Sequence, residues 1–174
     1  YNEDFLLSSW TNKYDGIVCN PPYNRFQSIS NRKEIISIFK RETGIEFSGY
    51  TNQYILFLIK SIYQLEDNGR LAFLIPSEFL NSQYGVQIKE ILIEKQLLKA
   101  IINFKNDSNI FDNATTTSCI LLLEDNKDKI AEFISINKLE ELADLSIKDK
   151  YLLKDSSRIN YSELKPEIKW NYFM

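Results

Sequence analysis

Histidine is absent from all 174 residues. That excludes catalytic triads built on imidazole, most histidine-containing zinc sites and the commonest general base. Cysteine is nearly absent: Cys19 and Cys119 each lie in an apolar run, the setting of buried thiols in a cytosolic protein rather than of a disulfide framework. The five glycines stand at 16, 44, 49, 69 and 85, so no two form a Gly-x-Gly phosphate-binding turn. No apolar run approaches the roughly 20 residues of a membrane span, because Lys60 or Pro76 breaks the longest candidates. The opening "YNEDFLLSSW" puts acids where a signal peptide is basic. It also lacks an initiator methionine, so the chain is expected to be cut from something longer. A formal charge of −3 gives no global footprint for nucleic acid; any basic surface must be local.

What is present suffices for one domain, since 44% hydrophobic content over this length supports a sizeable core. "DGIVC" followed by Asn-Pro reads as a short buried strand ending in a turn. A helix is expected over about Asn31 to Arg41, stopped by Gly44, and a second from Thr51 to a stop at Gly69. "RLAFLIP" reads as a strand, "YGVQIKEILIEKQ" as a helix, and "LKAIINF" and "TSCILLLE" as two more strands. "KIAEFISI" reads as an edge strand. Alternation of strand and helix predicts a doubly wound, mostly parallel sheet. The two strands that lack a helix between them are expected as antiparallel neighbours at one edge.

The chemistry concentrates in Asn20-Pro21-Pro22-Tyr23, directly after the first strand. Two prolines fix the backbone and withdraw two N–H donors, leaving carbonyls and the Asn20 amide pointing outward. Asn20 offers a side-chain acceptor and Pro21 a main-chain one, a pair suited to an amino group with two protons. Tyr23 adds a flat face for stacking a base, worth about 1–3 kcal/mol in single-strand binders. A planar amine such as a nucleobase amino group or a carboxamide fits this corner. A plain strand-ending turn with a surface tyrosine is the alternative.

The ordered set "NEDFL", "YDGIVCNPPY", "YILFLIKSIYQLEDNGRLAFLIPSEFLNSQYGVQIKEIL" and "IFDNATTTSCILLLE" resembles the C-terminal part of the catalytic domain of amino-methylating DNA methyltransferases. The nearest likeness is to adenine-N6 enzymes of the N-P-P-Y type, as in type IIG restriction–modification polypeptides and type I modification subunits. It runs from Asn2 to about Glu124. The resemblance implies a partial doubly wound, Rossmann-like S-adenosylmethionine-dependent sheet, mostly parallel with an antiparallel edge strand. It implies that Asn20 and Pro21 accept hydrogen bonds from the target amine and that Tyr23 stacks on a flipped adenine, with Pro22 completing the motif. Phe111 matches a second aromatic against that base. Asp4 and Phe5 would contact the adenine of S-adenosylmethionine, and Phe57 would wall its pocket, unless it is a core aromatic.

Methyl transfer of this kind needs no covalent intermediate and no metal. Two acceptors on the amine favour a pyramidal nitrogen, and positioning and electrostatics do the rest. Cytosine-C5 chemistry would need a thiolate; Cys19 precedes Asn20 inside a strand and does not fit that role. Flipping implies duplex DNA as partner and cationic contacts to phosphate. Arg25, Arg32, Lys33, Lys40 and Arg41 are the candidates, although interspersed glutamates suit an ordinary solvated helix equally.

Residues 1–125 would then be methyltransferase core, and 126–174 an edge strand and linker leading toward a target-recognition region. The glycine-rich cofactor loop is expected upstream, so this stretch alone should bind cofactor weakly or not at all and be inactive. The strand before Asn20 should be an apolar edge covered by the tail or by a second copy in a homodimer. The resemblance also implies a cytoplasmic enzyme without membrane contact. Rival readings are a methyltransferase of ribosomal RNA or of release-factor glutamine, and a non-catalytic DNA-binding or assembly remnant.

Overall fold

The structure, a computed structural model, describes residues 3–24, 29–47, 51–105, 117–147 and 156–174. Six strands form one sheet in the order β1-β2-β4-β3-β5-β6: β1 Tyr14–Cys19, β2 Leu65–Pro76, β3 Leu98–Phe104, β4 Ser118–Leu123, β5 Ile130–Ile136 and β6 Ser156–Asn160. Pairing is parallel for β1–β2 and β3–β5 and antiparallel for the other three ladders. Strands β1, β2, β3 and β5 therefore run one way while β4 and β6 oppose them. This is the expected mixed α/β sheet, mostly parallel in strand direction; its antiparallel edge is β6 rather than the expected strand pair β3 and β4.

Helix α1, Arg32–Thr43, buries Ile35 and Phe39 four residues apart and ends at Gly44, whose φ of 74° closes the last turn onto the Lys40 carbonyl. Helix α2, Gln53–Tyr63, is buried nearly all round. Each such Leu or Ile contributes about 1.5–3 kcal/mol of burial, so α2 is a central packing element. Helix α3, Gly85–Glu94, begins where Gly85 passes the Phe79 carbonyl so closely that an added Cβ would lie 1.8 Å from its oxygen. Helix α4, Glu140–Ile147, follows β5. Among the described residues no helix is long and apolar enough to cross a membrane.

Three expectations are corrected. Helix α2 stops at Tyr63 rather than near Gly69, because the Gln64 carbonyl accepts the Tyr14 N–H and Leu65 pairs with Tyr14. Leu65 is paired in the parallel ladder and the rest of "LEDNG" is taken up in a register shift of β2 before Arg70 pairs with Gly16. Second, β3 and β4 are antiparallel neighbours as expected but lie inside the sheet, β4 being inserted between β2 and β3. β5 is also interior, paired on both sides. Third, the described part of the tail does not cover β1. It builds β6 at the far edge, and Trp170 packs edge-on against Phe133 with ring centroids 5.8 Å apart. β1 is left as an outer strand, with Val18 89% exposed.

The main core lies where α1, α2, α3 and the Tyr161–Trp170 segment cover one side of the sheet. A smaller cluster, including Ile102, Phe104, Ile134 and Ile136, has Leu142 of α4 packed against it. Neither cysteine forms a disulfide.

Candidate functional site

Strands β1 and β2 deliver the corner. Their last pair is Cys19 with Phe73, and the next residue, Asn20, leaves the sheet exposed. Pro21 is buried and anchors the turn, whereas Pro22 and Tyr23 reach solvent. The Tyr23 hydroxyl lies 2.7 Å from Asn20 Oδ1 and 3.0 Å from the main-chain oxygen of Leu74. A phenol has one proton to donate, so Tyr23 serves only one of these two acceptors at a time. That is a corner short of hydrogens.

Tyr23 is 40% exposed, and its ring meets that of Tyr54 edge-on at 6.3 Å. Tyr54 is buried and its hydroxyl donates to Tyr84, which donates on to Glu78. Burial first, and then the hydrogen bond with Tyr84, pushes the Tyr54 hydroxyl far up. Burial chiefly, with Cys119 and Cys19 adding, pushes Tyr23 up as well. Both remain phenols, and the Tyr23–Tyr54 contact braces the exposed ring from behind. Burial also raises the Cys19 thiol, which works against a thiolate nucleophile.

Two further segments converge at this end of the sheet. Ser77, just beyond β2, donates its N–H to the Thr117 carbonyl at 2.8 Å, and the two hydroxyls lie 2.6 Å apart. Because β3 and β4 are antiparallel, the chain between them leaves and re-enters the sheet at the same end as Asn20. Phe111 belongs to that connection and lies outside the described residues, as does Arg25.

A cavity of about 370 Å³ is walled by Phe5, Ile17, Cys19, Phe57, Ser61 and Gln64, so it reaches the residue beside Asn20. The rings of Phe5 and Phe57 face each other with centroids 5.1 Å apart. Asp4 opens the turn that presents Phe5: its Oδ1 accepts the Leu6 N–H at 2.9 Å, and its carbonyl accepts from Leu7 and Ser8. Of the three expected cofactor residues, Phe5 and Phe57 meet in the cavity wall and Asp4 precedes Phe5 in the chain. Arg32, Lys33, Lys40 and Arg41 are exposed on α1. Lys40 is paired with Glu46 and Arg41 with Glu42, while Arg32 and Lys33 have no acidic partner among the described residues.

Sequence reasoning overlooked Tyr54, the Leu74 carbonyl and Lys60. A main-chain oxygen carries no sequence signal. Lys60 had one, as a cation amid "YILFLIKSIY", but it was read only as an interruption of an apolar run.

A family model described as Eco57I restriction-modification methylase matches residues 1–111. The chain is 43% identical to the type II methyltransferase M.AccI of Acinetobacter calcoaceticus, over 98% of this chain and 32% of that protein. It therefore spans about a third of that relative's length. Among solved structures, the type IIG restriction endonuclease BpuSI aligns with a TM-score of 0.74 at 15% identity, covering 99% of this chain and 22% of that one. The type I restriction-modification methyltransferase subunit from Streptococcus thermophilus aligns with a TM-score of 0.68 at 20% identity, covering 93% and 37%. At such identities these two likenesses concern the fold.

Proposed function

This chain belongs to the Eco57I restriction-modification methylase family, and we propose that it handles the target base in a DNA methyltransferase that modifies the N6 amine of adenine. The observation that carries this reading is the donor-poor corner, where one phenolic proton serves both Asn20 Oδ1 and the Leu74 carbonyl. An incoming amino group brings two N–H donors. One satisfies Asn20 Oδ1, freeing the Tyr23 hydroxyl to keep Leu74, and the other is offered to the Pro21 carbonyl. Drawing both hydrogens into fixed acceptors localises the nitrogen lone pair at no reorganisation cost, the type of electrostatic preorganisation that dominates many enzymes.

Tyr23 stacks on the extruded base, with Phe111 as its proposed second aromatic wall. Phe5 and Phe57 suit the flat adenine of S-adenosylmethionine, and Asp4 has a carboxylate oxygen left to accept from that ring's amine. The cofactor supplies an electrophilic methyl group. The shared wall residue Cys19 sets the cavity directly beside the amine acceptors. Arg32 and Lys33, without an acidic partner among the described residues, are the proposed phosphate contacts of α1 and Lys40 and Arg41 secondary ones, with Arg25 assigned to the same surface. Residues 1–125 form the methyltransferase portion and 126–174 lead toward target recognition, within a cytoplasmic protein. The outer edge of β1 takes a strand from another copy when the stretch stands alone.

The test is mass spectrometry of nucleosides from cells expressing the intact protein beside its Asn20→Ala variant. N6-methyladenine in DNA should appear with the parent and fall by about 10²-fold or more with the variant. Methylated RNA or glutamine without methylated DNA would overturn the DNA reading.

A further inference from the structure

Lys60 stands on α2 with no exposed surface. Its ammonium lies 2.5 Å from the Phe5 carbonyl, 2.6 Å from the Ser8 carbonyl and 3.1 Å from Ser8 Oγ. Three protons thus meet three acceptors, a complete match for a buried cation. The same nitrogen lies 4.9 Å from the Phe5 ring centre and 5.3 Å from that of Trp10.

The neighbours of Lys60 on its helix act on the same loop. Phe57, three residues before, meets the Phe5 ring, and Gln64, four residues after, donates its amide to the Ser9 carbonyl at 3.1 Å. Positions three and four apart share one helical face. One stripe of α2, extended by the Gln64 that ends it, therefore holds residues 5–9 by a ring, a cation and an amide. The loop it holds carries Phe5 in the cavity wall, with Asp4 directly before it.

We propose that Lys60 is a positioning residue for cofactor binding: by fixing the main chain of Phe5 and Ser8, it sets the Phe5 ring against Phe57 across the cavity. This rests on the reading that Asp4 and Phe5 contact S-adenosylmethionine. A loop that needed only anchoring would be served as well by an apolar side chain, since a buried charge is costly and hydrophobic replacement is often neutral. An ammonium with three fixed acceptors instead admits one loop geometry.

The experiment uses the intact protein and measures S-adenosylmethionine affinity by calorimetry and kcat at saturating cofactor. Lys60→Met should weaken the cofactor at least tenfold while kcat at saturation stays within about threefold. Lys60→Gln, which keeps two N–H donors and is the milder change for folding, should give an intermediate loss and decides alone if the Met variant does not fold. Lys89→Met is the control, another buried lysine on a carbonyl, and should leave cofactor affinity within about twofold. Phe5→Ala and Asp4→Asn separate the two levels of the argument. If they weaken binding and the folded Lys60 variants do not, the positioning role is wrong. Unchanged binding in Phe5→Ala and Asp4→Asn overturns the assignment of the cavity itself.

Discussion

The two ends of the chain are each tied to the core by a buried lysine beside a tryptophan, yet the ties do different things. Lys60 meets three acceptors in residues 5–8, near Trp10. Lys89 donates to the Ile168 carbonyl at 2.8 Å, with its nitrogen 5.4 Å from the Trp170 ring. At the N-terminal end the tryptophan is half-buried and the loop lines a cavity. At the C-terminal end Trp170 is wholly buried, bonded through Nε1 to the Lys165 carbonyl and packed on Phe133. The same device therefore shapes a site at one end and completes the core at the other. What a buried cation is for depends on what its acceptors carry.

The sharpest way to break this contrast is Trp170→Ala. Truncating a fully buried aromatic should cost about 3–5 kcal/mol, read as a lower denaturation midpoint, with cofactor affinity unchanged. A parallel loss of affinity would erase the distinction between the ends. Lys89→Met comes next: leaving the Ile168 carbonyl without its donor should cost about 1–3 kcal/mol in the same denaturation experiment. Ser8→Ala sharpens the other side. Ser8 Oγ accepts from Lys60 and donates to the Phe5 carbonyl at 2.9 Å, so its removal should cost about 1 kcal/mol and weaken cofactor binding by about threefold.

The last effect is on pH. Desolvation lowers both ammoniums to about 8 from the ordinary 10.5, against the opposing pull of Asp4 and Glu42 on Lys60 and of Glu167 on Lys89. Between these values the unfolded chain binds more protons than the folded one, so stability rises with pH from about 8 toward 10. Above that the trend reverses, because burial holds the Tyr54 and Tyr161 hydroxyls protonated in the fold while the unfolded chain loses those protons. Urea midpoints at pH 7.5 and 9.5 should show the rise, and Lys89→Met should flatten it. An equal rise in the variant would mean that Lys89 is charged at little cost.

Much of this architecture could be read from local pattern. The first strand and its proline corner, the Gly44 stop of α1, and strands β3 to β5 follow from short-range rules of chain geometry and apolar runs. The corner's acceptors were legible for the same reason, since proline acts on its own backbone and an asparagine carries its acceptor with it. Lys60 and Leu74 were not. Each role depends on a bond between a side chain and a main-chain carbonyl about fifty positions apart, Lys60 to Phe5 and Tyr23 to Leu74, which no local pattern encodes.

The same division holds for the whole chain. Residue types by themselves determined that it lacks imidazole chemistry, that it alternates strand and helix, and that a rigid, donor-poor turn follows the first strand. Only the tertiary structure decided that β4 enters between β2 and β3, that "LEDNG" is strand rather than helix, and that the tail extends the far edge instead of covering β1. These outcomes turn on competition between long-range ladders and local preference. A hydrogen-bond ladder to a distant strand satisfies a series of backbone groups together, and that collective gain overrides the modest propensities of single residues.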